Sequence, residues 1–183
     1  MLVSAASQLG RSYLVKLMGV ILFVAFTALA ARVAIPLPFT PVPITLQVMA
    51  VLLAGLVLGP KTGAASQIVY LAMIAAGLPL DAKALGPAAL TGPTAGYLIG
   101  FVPAAFVAGW LAERPPAARV TRFLGTLVGV GVIYVTGILW LSPAVGSLRT
   151  AWLLGMAPFI LIDLGKAGVA AAVAESGRLL LRQ

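Results

Sequence analysis

The residues best suited to chemistry in this sequence are an acid and a base in its last long apolar stretch. Asp163 and Lys166 lie three residues apart in a run, Met156 to Ala174, that is otherwise almost wholly apolar. On a helix, residues at this spacing share one face and lie about one turn apart. A charge inside hydrocarbon costs between ~3 and ~17 kcal/mol, so the two charges are either paired to each other or used for function. One alternative is a salt bridge that fixes helix packing. The other, which we favour, is a pair that faces a cavity and holds a polar ligand.

The composition indicates that the chain is surrounded by a lipid bilayer. Of its 183 residues, 62% are hydrophobic and 9% are charged, whereas soluble domains carry about 25% charged residues. The length leaves room for about six spanning helices and little else. We therefore expect an all-α membrane protein that forms one integral membrane domain over residues 1–183. The sequence has no Cys and no His, which excludes disulfides, thiolate metal sites and histidine acid–base chemistry.

Six apolar segments are predicted to be the spanning helices. Their approximate bounds are 13–35, 44–58, 62–78, 94–112, 123–141 and 151–177. Gly96 and Gly100 in the fourth segment are four residues apart, and Gly125 and Gly129 repeat this spacing in the fifth. Small residues at this spacing let helix backbones approach closely. We therefore expect close helix contacts at these glycines.

A few residues interrupt the apolar character or the helical conformation of these segments. Gln47 lies in the second segment, and Gln67 and Tyr70 lie in the third. Such side chains commonly hydrogen-bond to neighbouring helices. Pro158 is expected to kink the sixth segment, because proline lacks an N–H group and clashes with the preceding turn.

A proline-rich segment, residues 36–43, separates the first two predicted helices. It contains four prolines and cannot form an α-helix, so an extended conformation is expected. Its other residues include Leu37, Phe39 and Val42, which are too apolar for an ordinary solvated loop. The segment is either a stiff linker or, as we favour, a rigid lid with an apolar underside.

A second long loop spans residues 79–93. Its Gly-Pro pairs indicate turns, and a loop of this length in a compact chain is usually functional or disordered. Because it is mostly apolar, we expect it to pack over the helices. Asp81 and Lys83 are expected to form its solvated edge.

The distribution of Lys and Arg predicts the topology. With the N-terminus inside, eight of the twelve basic residues fall on inner segments and three on outer ones, and the twelfth is Lys166. Basic residues accumulate on the cytoplasmic side, so both termini are predicted to be cytoplasmic and the two long loops to lie together outside. The inner residues are Arg11, Lys16, Lys61, Arg114, Arg119, Arg122, Arg178 and Arg182, and the outer ones are Arg32, Lys83 and Arg149. They form no continuous patch, which argues against nucleic acid as a partner.

Catalytic functions find little support. No phosphate-binding motif is present, since Pro60 separates Gly59 from Lys61 and no glycine stands at the required position before them. A membrane aspartyl protease needs two carboxylates within the membrane, and Asp163 is the only one expected in the hydrocarbon core. We therefore expect a protein that is not an enzyme. A proton-coupled carrier acting alone remains an alternative, because Asp163 could titrate.

Four motifs in order resemble one known family. They are LPFTPVPITLQ (37–47), LLAGLVLGPKTGA (52–64), LTGPTAGYLIGF (90–101) and DLGK (163–166), and the similarity covers residues 31–166. These motifs closely resemble BioY, the family of biotin-specific S components of energy-coupling factor (ECF) transporters.

The resemblance implies a six-helix protein of the cytoplasmic membrane that captures biotin at the outer face. It implies partners, namely a transmembrane T component and two cytoplasmic ATPase subunits, which would supply the ATP-driven step that this chain lacks. It implies no cofactor, only biotin as the transported ligand. An S component of the same fold for another vitamin is a further alternative.

The resemblance also implies a set of binding residues. The family's acid–base pair matches Asp163 and Lys166, which suit the N–H donors and the carbonyl of biotin's ureido group. The carboxylate end of biotin would need donors near the mouth, for which Thr91, the Gly92 backbone, Tyr97 and Lys83 are candidates in that order. Some members of the family that the motifs resemble use an arginine near the start of the fourth helix, and this chain has none there. The predicted binding residues are Asp163, Lys166, Tyr97, Thr91, Gly92, Phe39, Val42 and Gln47.

Overall fold

A computed structural model describes residues 2–115 and 119–180, and the side chains of residues 13–115 and 119–178. Arg182 of the charge count lies outside the described residues, as do residues 116–118 between the predicted fourth and fifth helices. The described part is mostly helical, as predicted. Its elements are α1 (Leu2–Arg32), β1 (Ala34–Ile35), β2 (Ile44–Thr45), α2 (Gln47–Leu58), α3 (Pro60–Ala75), a 3-10 helix (Gly86–Leu90), α4 (Ala95–Ala112), α5 (Arg119–Val145), α6 (Leu148–Gly155) and α7 (Ile160–Leu180).

The helices differ in how well they could cross a membrane. In the described residues, three helices are long and apolar enough to do so: α1 from Tyr13 onward, α4 and α5. The bent pair α6 and α7 would make a fourth if it is taken as one span. α2 has 12 residues and α3 has 16, fewer than the ~20 that usually span a bilayer. The count of six spans therefore stays a prediction.

Close contact between α4 and α5 depends on the glycines that the spacing singled out. A Cβ atom on Gly100 would lie 2.1 Å from Thr136 Oγ1, and one on Gly96 would lie 2.5 Å from the Thr136 carbonyl oxygen. A Cβ on Gly125 would lie 2.8 Å from the Ala108 carbonyl oxygen. The predicted close helix approach is confirmed at these positions.

The hairpin of α2 and α3 packs against α4 in the same way. Gly59 joins the two helices with a φ of +79°, which glycine adopts at no steric cost, and Pro60 starts α3 at a position that needs no N–H donor. A Cβ on Gly55 would lie 2.2 Å from the Ala105 carbonyl oxygen. Backbone therefore meets backbone where α2 crosses α4.

The predicted kink at Pro158 is a complete break in the helix. α6 ends at Gly155, α7 begins at Ile160, and the two axes differ by 57°. Proline has no N–H group, so Pro158 cannot bond to the Leu154 carbonyl four residues earlier. Thr40 Oγ1 donates to that carbonyl oxygen instead, at 2.7 Å. A side chain from the Pro-rich loop (residues 36–43) thus replaces the missing helical donor.

The Pro-rich loop is not helical, as predicted, and its ends are held together. β1 and β2 pair antiparallel, with Ala34 opposite Thr45 and Ile35 opposite Ile44. The loop therefore leaves the bundle and returns at the same place. Inside it, Val42 is buried and Leu37 packs against the core, whereas Phe39 is 57% exposed. The underside is apolar, but Phe39 is not part of it.

Replacing Gly55 with alanine tests the backbone contact of α2 with α4. The added methyl group would collide with the Ala105 carbonyl, and such overpacking typically costs about 1–3 kcal/mol. We expect Gly55→Ala to lower the midpoint of thermal unfolding in detergent by several degrees. Gly131→Ala is the matched control, because nothing lies within 4 Å of a Cβ there. Equal midpoints for the two variants would contradict this packing.

Candidate ligand-binding site

A cavity of about 730 Å³, counting its open mouth, lies between the two long loops and the helices α2, α4, α5 and α7. Of its lining residues, Phe101, Tyr134 and Asp163 are buried, whereas Leu85 is 52% exposed. The cavity therefore has a closed floor and a mouth at the loop that carries Leu85.

The predicted acid–base pair lies on the cavity wall. Lys166 Nζ donates to Asp163 Oδ1 at 2.7 Å, and Asp163 is only 5% exposed. Asp163 belongs to the first turn of α7, where the partial positive charge of a helix N-terminus stabilises a carboxylate. The two residues share one face of the helix, as their spacing predicted. Both residues also line the cavity.

A third residue, which the sequence analysis missed, completes this cluster. Tyr134 Oη in α5 donates to Asp163 Oδ2 at 2.6 Å, and Tyr134 also lines the cavity. Hydrogen bonds to an ionised carboxylate are short and strong. Tyr134 thereby holds the second carboxylate oxygen in one orientation. The signal in the sequence was a phenol in the middle of a mostly apolar segment.

The walls of the cavity are apolar. Tyr97 contributes its ring, and its hydroxyl donates to the Gly155 carbonyl oxygen at 2.9 Å. That bond provides a donor for the last carbonyl group of α6, and it uses the only proton of the hydroxyl. The other apolar wall residues include Val42, Ile44, Val48, Leu98, Phe101, Ile133 and Phe159.

A polar chain crosses the bundle beside the cavity. Gln47, which lines the cavity, donates from Nε2 to Tyr70 Oη at 2.8 Å, and Tyr70 donates in turn to the Leu80 carbonyl oxygen at 3.0 Å. These bonds join α2, α3 and the start of the 79–93 loop. Gln67 instead exchanges weak hydrogen bonds with Thr27 of α1, at 3.4 and 3.5 Å. The prediction that these side chains link helices is confirmed.

The mouth is formed where the two long loops meet. Lys83 Nζ donates to the Pro41 carbonyl oxygen at 2.9 Å, and residues from both loops line the cavity. Asp81 was expected to be solvated, but this prediction is wrong, because the residue is only 3% exposed. Its Oδ2 accepts from the Lys83 N–H at 3.0 Å and its Oδ1 from the Gly86 N–H at 2.8 Å. The Asp81 carboxylate thus provides hydrogen-bond acceptors for two backbone N–H groups of the turn.

Three predicted binding residues do not line this cavity: Phe39, Thr91 and Gly92. Phe39 points away from the underside of its loop, as its exposure shows. Thr91 is exposed, and its hydroxyl donates to the Ala88 carbonyl oxygen at 3.3 Å. The Gly92 carbonyl oxygen accepts from Trp140 Nε1 at 3.0 Å. The remaining five, Asp163, Lys166, Tyr97, Val42 and Gln47, are brought together around the cavity.

Apolar helices, two long loops joined by a hydrogen bond and an acid–base pair at a cavity are typical of a membrane protein that binds a small ligand. A family profile described as "BioY family" matches residues 5–183. The chain belongs to the BioY family.

Curated relatives agree with this assignment. The chain is 43% identical over 157 residues to the "Probable biotin transporter BioY" of Pyrococcus horikoshii, covering 85% of this chain and 91% of that one. It is 42% identical over 154 residues to the "Biotin transporter BioY" of Thermotoga maritima, covering 84% and 89% of the two chains. A crystal structure of the S component for biotin from an ECF-type ABC transporter superposes with a TM-score of 0.84, at 29% identity and over 94% of each chain.

The bond from Tyr134 to Asp163 predicts a measurable loss of stability. In Tyr134→Phe the carboxylate keeps Lys166 but loses its second donor. Interhelical bonds within membranes contribute about 0.6–2 kcal/mol, so we expect a lower midpoint of thermal unfolding in detergent. Tyr13→Phe is the control, because Tyr13 is 71% exposed. If both variants have the same unfolding midpoint as the wild type, the hydrogen bond from Tyr134 to Asp163 does not contribute to stability.

Proposed function

We propose that this chain is the substrate-binding S component of an ECF-type transporter and that it binds biotin in the cavity between its two long loops. The observation that carries the proposal is the buried pair of Asp163 and Lys166 on the cavity wall. The names of the relatives and the structural likeness to a biotin S component support it. The proposal requires no cofactor and no catalysis by this chain.

The chemistry of the pair suits the ureido group of biotin. A carboxylate accepts hydrogen bonds, an ammonium donates them, and the ureido group offers N–H donors and a carbonyl acceptor. Lys166 and Tyr134 each occupy one oxygen of Asp163. Each oxygen retains a further acceptor site, so a ligand N–H can bind without breaking either bond. Lys166 likewise keeps two donors beyond the one directed at Asp163.

The rest of the cavity suits the apolar part of the ligand. The ring of Tyr97 and the side chains of Val42 and Phe101 would contact the thiophane ring and the valeryl chain. Gln47, at the polar chain beside the cavity, would be a further contact. Phe39, Thr91 and Gly92 are left out of the proposed site, because they lie outside the cavity lining.

The direction of capture follows from the predicted topology. We propose six spans in the cytoplasmic membrane, with both termini in the cytoplasm and the cavity mouth outside. The excess of basic residues on the predicted inner segments supports this orientation. The two long loops meet at one mouth, in keeping with capture from one side. A T component and two ATPase subunits would be the partners that use ATP to move the ligand inward.

Replacing Asp163 with asparagine tests the ligand and the site together. Asparagine removes the charge from the proposed bond to the ureido N–H, and charge-assisted bonds are about twice as strong as neutral ones. We expect Asp163→Asn to weaken equilibrium binding of labelled biotin in detergent by more than ten-fold. Glu113→Gln, an exposed acid beyond the far end of α4, is the control. A variant that loses thermal stability but keeps its affinity would mark the pair as a packing salt bridge only.

Reconstitution tests the need for partners. In vesicles, the chain with a T component and ATPase subunits is expected to accumulate biotin only when ATP is supplied. Accumulation by the chain alone under a proton gradient would contradict the proposal and favour a proton-coupled carrier. If the wild type is folded but binds another vitamin and not biotin, the chain is an S component of different specificity.

A further inference from the structure

The cavity mouth carries a positive charge that is separate from the acid–base pair. Among the described residues, the cations that line the cavity are Lys166 and Lys83. Lys166 is paired with Asp163. Lys83 takes part in no ion pair among residues 13–115 and 119–178, and its Nζ donates to a neutral carbonyl, that of Pro41.

The turn that carries Lys83 is held in one conformation. Asp81 accepts hydrogen bonds from the backbone N–H groups of Lys83 and Gly86. Ala84 has a φ of +56°, which is rare for a residue with a side chain. A left-handed alanine persists only where its surroundings determine the backbone. The turn therefore presents the Lys83 side chain at a defined place on the rim.

The charge at this rim is positive on balance. Arg32 donates to the Pro79 carbonyl oxygen at the base of the same loop. Asp81 is the acid of this region, and both its oxygens accept from backbone N–H groups. This region therefore holds two cations and one carboxylate, and both oxygens of the carboxylate already accept hydrogen bonds. An anion that arrives at the rim would meet an attractive field.

Other donors near the mouth are less suited to an anion. The Tyr97 hydroxyl proton is used on the Gly155 carbonyl. Thr45 donates to Gln47 at 3.3 Å. Thr94 lines the cavity, but a hydroxyl supplies one neutral donor and no charge.

We propose that Lys83 binds the carboxylate of the ligand and makes the site selective for the free acid. This inference rests on the proposed function, because it requires biotin bound with its ureido group at Asp163 and its carboxylate toward the mouth. An ammonium has three donors, and Lys83 uses one on Pro41. A carboxylate can take the other two while the link between the two loops stays in place.

The test compares biotin with its neutral amide. Wild type, Lys83→Gln and Lys83→Arg are assayed in detergent by competition against labelled biotin, with circular dichroism to verify folding. Because the rim is exposed, the charge-assisted bond is weakened by solvent, and we expect wild type to prefer the acid by about ten-fold. Lys83→Gln should reduce this preference to about one, with the affinity for the amide unchanged. Lys83→Arg should keep it.

A matched control and a salt series sharpen the result. Lys61→Gln removes an exposed lysine from the first turn of α3 and should keep the full preference. Raising the ionic strength should reduce the preference in wild type and leave Lys83→Gln unaffected, because salt screens exposed charges.

The outcomes separate the two proposals. If folded wild type binds neither biotin nor the amide, the proposed function is wrong and the role of Lys83 is wrong with it. If wild type binds both equally, biotin stays the ligand and the inference on Lys83 is overturned. It is overturned as well if Lys83→Gln weakens both ligands by the same factor, since Lys83 would then serve only to link the loops.

Discussion

A buried carboxylate inside an apolar bundle is the constraint on which the rest of this structure depends. Asp163 is stabilised by three things: the first turn of α7, the ammonium of Lys166 and the hydroxyl of Tyr134. Without the Lys166 ammonium or the Tyr134 hydroxyl, the negative charge of Asp163 would be less well compensated in surroundings that solvate it poorly. Because Tyr134 comes from α5, the bond also sets how α5 lies against α7. The same cluster that makes the charge tolerable thus builds the polar end of the cavity.

The position of Tyr97 in the cavity wall depends on two glycines. Close packing of α4 against α5 brings Tyr97 beside Gly137, where a Cβ would lie 2.3 Å from the Tyr97 ring. It also brings Tyr97 Oη to within bonding distance of the Gly155 carbonyl. A larger residue at either glycine would collide with Tyr97. The small residues therefore determine the shape of the site as well as the helix contacts.

Local features of the sequence were sufficient for some of this structure. The spacing of Asp163 and Lys166 predicted that they share one face of a helix, and the prolines predicted the non-helical loop and a bend at Pro158. Which side chains of each element face the cavity could not be predicted from local sequence. Tyr134 reaches Asp163 only because of the rotation of α5, which depends on packing with several neighbours. Phe39 and Val42 lie in one irregular loop, where no periodicity tells which side chain faces inward.

The cavity lies where the helices stop, and this follows from the solvation of the backbone. Backbone that leaves a helix and stays buried needs hydrogen-bond partners elsewhere in the protein. Here the freed carbonyls accept from side chains around the cavity: Leu154 from Thr40, Gly155 from Tyr97, Leu80 from Tyr70 and Pro41 from Lys83. Two of these donors, Tyr97 and Lys83, also line the cavity. The residues that shape the site are therefore also those that make the breaks stable, so substitutions at Tyr97 would change both properties at once. Lys83 differs because it has donors to spare, which is why its two roles can be separated by experiment.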